Sequence, residues 1–338
     1  MAKFTNDYSY LAVDEIIDAV IKIKDEENTG YGLDKHSEKA EQEILEEFNI
    51  PNGAAYFLSG GTQTNLAVIS FLLKPYEGVL SCDTGHINVH ETAAIEATGH
   101  KIYTLKNKNG KITAQSIQEA LNINNNMHMV KLRMVYISNS TEIGTIYTKK
   151  ELKSLRKICD DNNLLLFIDG ARLSCALTSA KCDYDAKYLA NIADVFYIGG
   201  TKNGMMLGEA VVFKNREMSN EFRYHMKNRG AMLSKTFLVG VQFERMFEDD
   251  LFYRLGKHAN QMAKYIHDSI KDHIRIPYTL ETNQLFIEVD SFKSSKLIEQ
   301  FELELWEELK ESHILRIVTS FKTTKEDCDE IINYILSL

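Results

Sequence analysis

Residues 59–66 of the 338-residue chain, SGGTQTNL, have the composition of a phosphate-binding turn. They lie between a strand-like and a helix-like segment, and adjacent glycines let backbone N–H groups approach an anion closely. A helix N-terminus adds free donors and a positive partial charge, and Thr62 adds a hydroxyl. The segment therefore fits a phosphate cradle. The alternative is an ordinary turn capped by Thr62, because the nucleotide-binding glycine patterns are absent from this segment.

Two ionisable residues follow strand-like segments further along the chain. Asp169, in FIDGARL (167–173), ends a buried apolar run, which is where open α/β sheets place ligands. A carboxylate there needs a cation or several donors, although it could instead cap a helix. Lys202, in YIGGTKNG (197–204), lies among small residues. A desolvated lysine is a nucleophile that forms imines, whereas the alternative is a solvated loop lysine.

Two histidines lie four residues apart in GHINVHE (85–91). His86 or His90 could bind a metal, act as a general base or stack on an aromatic ring. Because no third ligand is evident, no metal site is predicted.

These segments together match the needs of one cofactor, pyridoxal 5′-phosphate. It requires a phosphate anchor, an anionic partner for its pyridine nitrogen, a stacking face and a lysine. The carboxylate keeps the ring nitrogen protonated. At ~4 Å and an effective dielectric of ~20, that pairing contributes about 4 kcal/mol.

The motifs SGGTQTNL, GHINVHE, FIDGARL and GGTKNGM, in that order, resemble those of the low-specificity threonine aldolases. These are fold-type-I pyridoxal-phosphate enzymes, grouped with the β-eliminating lyases. The resemblance implies a lyase that cleaves β-hydroxy-α-amino acids, threonine or allo-threonine, to glycine and an aldehyde. A β-eliminating lyase or a cysteine-desulfurase-like enzyme is the alternative, since TEIGTI (141–146) is similar to a desulfurase segment.

The resemblance also assigns roles. It implies that Lys202 is the Schiff-base lysine, that Asp169 faces the pyridine nitrogen, that His86 stacks on the ring, and that Gly61 and Thr62 hold the phosphate. Two arginines follow from it as well. Arg172 would approach the cofactor phenolate oxygen or the substrate carboxylate, and Arg316 would bind that carboxylate through a bidentate fork. Homodimers or homotetramers with active sites at the subunit interface are implied too.

Three positions depart from the family pattern. Asn6 stands where a serine often touches the substrate carboxylate. Thr141 or Glu142 stands near the position of a histidine close to the β-hydroxyl, so the base for that hydroxyl is not identified. Leu233 replaces a phosphate-binding arginine, and Lys235 could supply the charge, across the subunit interface.

Local patterns predict an α/β fold. Short apolar strands alternate with helices of ten or more residues through the middle of the chain, which indicates a mostly parallel sheet. The resemblance implies a seven-stranded type with helices on both faces. After about residue 240, one long helical pattern (241–271) precedes two strands and two helices. We therefore expect a large cofactor-binding domain at 1–240 and a small α+β domain at 241–338.

Composition narrows the functional class. With 44% hydrophobic residues, 26% charged residues and a net charge of −9, the chain is a folded protein unsuited to nucleic acid or anionic membrane surfaces. Five cysteines without a CxxC pair indicate a reducing compartment. No apolar signal core and no run of ~18 apolar residues are present, so a cytoplasmic protein is expected.

Overall fold

The computed structural model describes residues 2–338, and its largest element is a seven-stranded sheet ordered β1-β7-β6-β5-β4-β2-β3. Its strands are β1 (Ala54–Leu58), β2 (Glu77–Cys82), β3 (Ile102–Leu105), β4 (Lys131–Ser138), β5 (Leu165–Asp169), β6 (Val195–Gly199) and β7 (Glu209–Phe213). β7 runs antiparallel to both β1 and β6, and the pairings from β6 through β5, β4 and β2 to β3 are parallel.

The strand sequences are apolar because helices cover both faces of this sheet. In β5, Leu166 and Ile168 belong to one hydrophobic cluster, whereas Phe167 belongs to the cluster on the opposite face. Strands buried on both faces have nearly continuous apolar sequences. The predicted fold class, a mostly parallel seven-stranded sheet between helices with a smaller α+β part, is confirmed.

The helices follow the strands in the manner of βα units. They are α1 (Asp14–Lys22), α2 (Lys35–Glu47), α3 (Gly61–Leu72), α4 (His86–Val89), α5 (Ala114–Ile123), α6 (Lys149–Asp161), α7 (Leu173–Leu177), α8 (Ala186–Ile192), α9 (Phe222–Asn228), α10 (Phe237–Phe247), α11 (Leu251–Ile270), α12 (Ser291–Phe301) and α13 (Lys325–Ser337). Within residues 2–338, no helix combines the length and apolar composition that a bilayer span requires.

The second sheet of the structure has three antiparallel strands. Its strands are β8 (Gln284–Asp290), β9 (Glu304–Glu308) and β10 (Ser312–Val318), in the order β8-β10-β9. The core beneath it includes residues of α11, α12 and α13. Phe4 joins this core, since its N–H donates to the Phe301 carbonyl and its own carbonyl accepts from the Val318 N–H.

The predicted continuous helix over 241–271 is wrong. α10 ends at Phe247 and α11 begins at Leu251, and between them Asp249 and Asp250 have left-handed φ values of 53° and 56°. Aspartate adopts this conformation more readily than most residues, so the acidic run provides a sharp bend. The helical periodicity on both sides concealed the break, because it says nothing about backbone handedness.

A buried histidine of α2 gives the fold a pH-dependent contact. His36 Nδ1 lies 2.8 Å from Glu244 Oε2, and Nε2 lies 2.9 Å from Glu26 Oε2. Burial by itself lowers the histidine pKa, but hydrogen bonds to Glu244 and Glu26 outweigh it and raise the pKa. A group whose pKa is raised on folding stabilises the protein below its unfolded pKa of about 6.5, and this contribution is lost as the pH rises through the folded pKa.

We therefore expect the difference in Tm between wild type and His36→Asn to be largest at about pH 6 and to shrink by about pH 9. Thermal unfolding of both proteins across this range checks it. His128→Asn, which alters an exposed histidine, is the control and should track wild type throughout. A His36→Asn difference that grows with pH would contradict the assignment.

Candidate active site

The candidate site lies where β4, β5 and β6 end and where α3 and α4 begin. Ser138 and Asp169 are register partners at the ends of β4 and β5. Lys202 lies in the turn after β6, which ends at Gly199. Because the carboxyl ends of parallel strands meet at one edge of a sheet, residues distant in sequence converge there.

Asp169 is buried and surrounded by donors. Its Oδ2 accepts from the Tyr136 hydroxyl at 2.5 Å and from Asn65 Nδ2 at 3.2 Å, and its Oδ1 accepts from the Ala171 N–H at 3.0 Å. Burial and the adjacent Asp169 charge raise the pKa of Tyr136, which therefore remains a donor. The helix-cap alternative is wrong, because α7 begins after Arg172 and not after Asp169.

Lys202 is only partly exposed and lies in a set of opposing charges. Burial and the positive charge of Arg172 lower its pKa, against the attraction of Asp7, Asp169 and Glu209. A lowered pKa increases the fraction of neutral, nucleophilic amine. The alternative of a solvated loop lysine does not fit this environment.

The start of α3 matches an anion cradle. Gly60 is the N-cap residue, and no side chain of the described chain caps this helix, so the prediction's alternative of a Thr62 cap is wrong. A β-carbon at Gly60 would meet no described atom within 4 Å, whereas one at Gly61 would lie 2.9 Å from the Tyr197 hydroxyl. Thr62 is exposed, and the start of the helix lies beside the Tyr197 hydroxyl.

His86 is the first residue of α4 and is held at two points. Its Nδ1 lies 2.7 Å from Glu91 Oε1, and its backbone N–H donates to Glu142 Oε1 at 2.9 Å. Its ring lies 5.5 Å from that of His90 between centroids. Among residues 2–338, no cluster of His, Cys, Asp or Glu side chains is arranged to hold a metal ion.

Thr141 and Glu142 are the two residues predicted to lie near the β-hydroxyl of a substrate. Of these, Glu142 is the one that accepts a hydrogen bond from His86. The Thr141 hydroxyl is buried and bonded to Thr145 Oγ1 at 2.8 Å. Glu142 accepts from Ser138 Oγ at 2.5 Å, and burial together with the Asp169 charge raises its pKa. A carboxyl in this environment holds a proton at a higher pH than an exposed glutamate does.

Arg172 is fixed by a residue that the motifs did not identify. Its Nε and Nη2 donate to the two Asp7 carboxylate oxygens at 2.6 and 2.9 Å. Burial by itself raises the Asp7 pKa, but Arg172 and Lys202 outweigh it and lower the pKa. The pair joins segments 165 positions apart, and no local pattern announces such a contact.

Arg316 lies on β10, the central strand of the small sheet. It pairs with Glu304, donates through Nη1 to Gln284 Oε1 at 3.2 Å, and stacks 5.3 Å from the Trp306 ring centroid. Its Nε is buried without a partner in the described chain. Burial and the positive charge of Arg172 lower the pKa of Arg316, and its unpartnered Nε is a donor left for an anion.

Replacement of Arg316 by lysine tests this anion site. A point charge cannot make the parallel bonds of a guanidinium, so we expect KM for an amino-acid substrate to rise about 10- to 100-fold, the effect of losing one charged hydrogen bond. Steady-state kinetics provide the measurement. Arg275→Lys, which changes an exposed arginine near the same sheet, should leave KM unchanged.

Within residues 2–338, two predicted site residues make no hydrogen bond to this cluster, although Asn6 directly precedes Asp7. Lys235 is exposed in the connection between α9 and α10. The Asn6 Oδ1 accepts from the Tyr8 N–H at 3.0 Å and from Ser9 Oγ at 2.9 Å, which forms a local turn. Their predicted roles in binding phosphate and substrate stay predictions.

The donor set fits pyridoxal phosphate. Free N–H groups at α3 suit the phosphate, the buried Asp169 suits a protonated ring nitrogen, the His86 ring offers a stacking face, and Lys202 supplies the amine. The orphaned Arg316 Nε suits a carboxylate.

The comparisons agree with this site. Residues 11–291 match the family described as beta-eliminating lyase. The chain is 31% identical to a low specificity L-threonine aldolase from Pseudomonas sp. (strain NCIMB 10558) over 264 residues, 77% of this chain and 76% of that protein. It is also similar to the solved structure of a threonine aldolase from Leishmania major, with 39% identity, a TM-score of 0.98, and coverage of 100% and 99% of the two chains.

The chain therefore belongs to the beta-eliminating lyase family, among the fold-type-I enzymes that depend on pyridoxal phosphate. The predicted family, cofactor and enzyme class, an aldehyde-lyase, are confirmed.

Proposed function

We propose that this protein cleaves β-hydroxy-α-amino acids, threonine and allo-threonine among them, to glycine and an aldehyde. The observation that carries the proposal is that Lys202 and the buried Asp169 lie at one edge of the large sheet, where the Lys202 amine interacts with Arg172. Arg316, on the small sheet, is close enough to Arg172 for the two charges to interact. These groups address the amine and the carboxylate of an amino acid at the same time.

Each residue has a proposed task. Gly61 and Thr62 hold the cofactor phosphate, Asp169 holds a proton on the pyridine nitrogen, and His86 covers one ring face. Lys202 supplies the amine that anchors the cofactor. When bound, pyridoxal phosphate withdraws the electron pair left on the substrate α-carbon.

The chain's other site residues orient the substrate and move its protons. Arg316 binds the α-carboxylate, with Arg172 beside it held rigid by Asp7. Fixing the carboxylate selects which bond at the α-carbon is aligned for cleavage, and this is a positioning effect. We infer that His86 or Glu142, which are in contact, takes the β-hydroxyl proton.

We also propose a homodimer or homotetramer in the cytoplasm, with Lys235 reaching the phosphate of a neighbouring subunit. Support comes from exposed apolar side chains: Tyr8 is 53% exposed, with its ring 5.9 Å from Lys202 Nζ, and Leu11 and Leu33 are 66% and 67% exposed. The division at 1–240 and 241–338 stays part of the proposal, with Phe4 reaching across to the small sheet.

The test is product analysis of the purified protein supplied with pyridoxal phosphate. Threonine and allo-threonine should yield glycine and acetaldehyde in equal amounts. Serine and cysteine serve as comparison substrates. Release of pyruvate or sulfide in place of glycine would instead favour the β-eliminating or desulfurase-like alternative.

A further inference from the structure

A buried chain of hydrogen bonds links His86, proposed to cover the cofactor ring, to Asp169, proposed to face the ring nitrogen. The Glu91 side chain is 0% exposed. Its Oε1 lies 2.7 Å from His86 Nδ1 and accepts from Asn65 Nδ2 at 2.7 Å. The same Asn65 nitrogen donates to Asp169 Oδ2 at 3.2 Å. The path therefore runs from the His86 ring to the Asp169 carboxylate without an exposed intermediate.

These hydrogen bonds determine which ring nitrogen of His86 carries the hydrogen. Glu91 Oε1 accepts from Asn65 Nδ2, and with this oxygen as the acceptor the 2.7 Å contact to His86 Nδ1 is one in which Nδ1 carries the hydrogen. Nε2 is then the ring nitrogen left for other partners, and it belongs to a ring that is 32% exposed. A carboxylate that sets the tautomer and ring plane of a histidine in this way is a recurring device in enzymes.

The backbone conformation after Glu91 also indicates that the position of this side chain is functionally constrained. Thr92 and Ala93 have left-handed φ values of 49° and 58°. For a β-branched residue such as Thr92 this conformation is strained, and such strain concentrates at functional sites. The turn directs Glu91 into the interior, although Glu91 Oε2 and Asn65 Oδ1 are left without partners in the described chain. An apolar side chain would avoid that cost, so packing alone does not account for a glutamate here.

We propose that Glu91 is a positioning residue. It holds His86 in the Nδ1–H tautomer and fixes the plane of its ring. Through Asn65, it also fixes the position of that ring relative to the Asp169 carboxylate. The proposal rests on the proposed function in one respect: His86 covers the cofactor ring and its Nε2 faces the reacting substrate. The Glu91 contact itself is a property of the protein alone.

The direct test uses the cofactor-free protein. Nitrogen NMR of ¹⁵N-histidine-labelled protein, at a pH well above the ordinary histidine pKa, distinguishes the two neutral tautomers, and the His86→Asn spectrum identifies the His86 signals. We expect wild type to carry the hydrogen on Nδ1. A bare Nδ1 with hydrogen on Nε2 would overturn the proposal, whatever any variant does.

Glu91→Gln is the informative variant, because its amide can donate to Nδ1 and so permit the other tautomer. We expect His86 to shift toward the Nε2–H form and kcat to fall about 10- to 100-fold, as for lost partners of ligating histidines, with KM little changed. The pH profile of kcat should also move. Glu96→Gln, an exposed glutamate of the same segment, is the matched control and should resemble wild type.

The outcomes separate this proposal from the proposed function. If the wild-type protein cleaves no β-hydroxy amino acid, the proposed function fails, while the tautomer measurement still decides the role of Glu91. If wild type is active and Glu91→Gln retains the Nδ1–H tautomer, the wild-type kcat and the wild-type pH profile, the Glu91 proposal fails alone.

Discussion

Replacement of Lys202 by alanine is expected to abolish the visible absorption of the lysine-bound cofactor and to lower kcat by about 10⁴-fold or more, the scale seen when a covalent group of a catalytic unit is removed. Within residues 2–338, the cation that acts most strongly on Lys202 is Arg172, and Arg316 lies beside Arg172 in turn. Guanidinium groups remain protonated and are not nucleophiles.

Absorption spectra with added pyridoxal phosphate and single-turnover kinetics provide the measurements. Lys187→Ala changes an exposed lysine of α8 and should behave as wild type. A Lys202→Ala protein that keeps both the absorption band and the activity would show that another amine holds the cofactor.

Replacement of Asp169 by asparagine is expected to lower kcat by about 10³-fold while the cofactor still binds to Lys202. Asparagine preserves size and can still accept from Tyr136, but it lacks the charge that keeps the ring nitrogen protonated. An ion pair at ~4 Å and a dielectric of ~20 contributes about 4 kcal/mol, which corresponds to about three decades in rate.

The matched control is Asp161→Asn, an exposed carboxylate at the end of α6. The decisive comparison is kcat against cofactor affinity. Loss of cofactor binding with an unchanged kcat in saturated enzyme would assign Asp169 to binding alone.

Two of the predicted cofactor residues, Asp169 and Lys202, follow strands that the sequence makes recognisable. Asp169 ends β5 and Lys202 follows β6, so the parallel pairing of these strands brings the two side chains together. Local apolar patterns are sufficient to find such strands, and the carboxyl ends of parallel strands then meet at one edge of the sheet.

The residues that hold the site in shape were not predicted, because their partners are remote. Asp7 meets Arg172, and Glu91 meets Asn65, only after folding. Asn65 did carry a signal, since it lies one helical turn after Gly61 in the same motif. Tyr136 was hidden within an apolar strand. The edge strands β3 and β9 also escaped prediction: β3 spans only Ile102–Leu105, and most of β9 is exposed.

The N-terminal segment has a mechanical consequence. Phe4 forms backbone hydrogen bonds with Phe301 of α12 and Val318 of β10, and Asp7 is bound between Arg172 and Asn283. Arg316 belongs to the same small sheet. We therefore expect that a rotation of this sheet against the large one would displace both arginines together, Arg316 directly and Arg172 through Asp7. Residues 4–7 thus connect the two sheets, and this connection would keep the spacing between Arg172 and Arg316 constant.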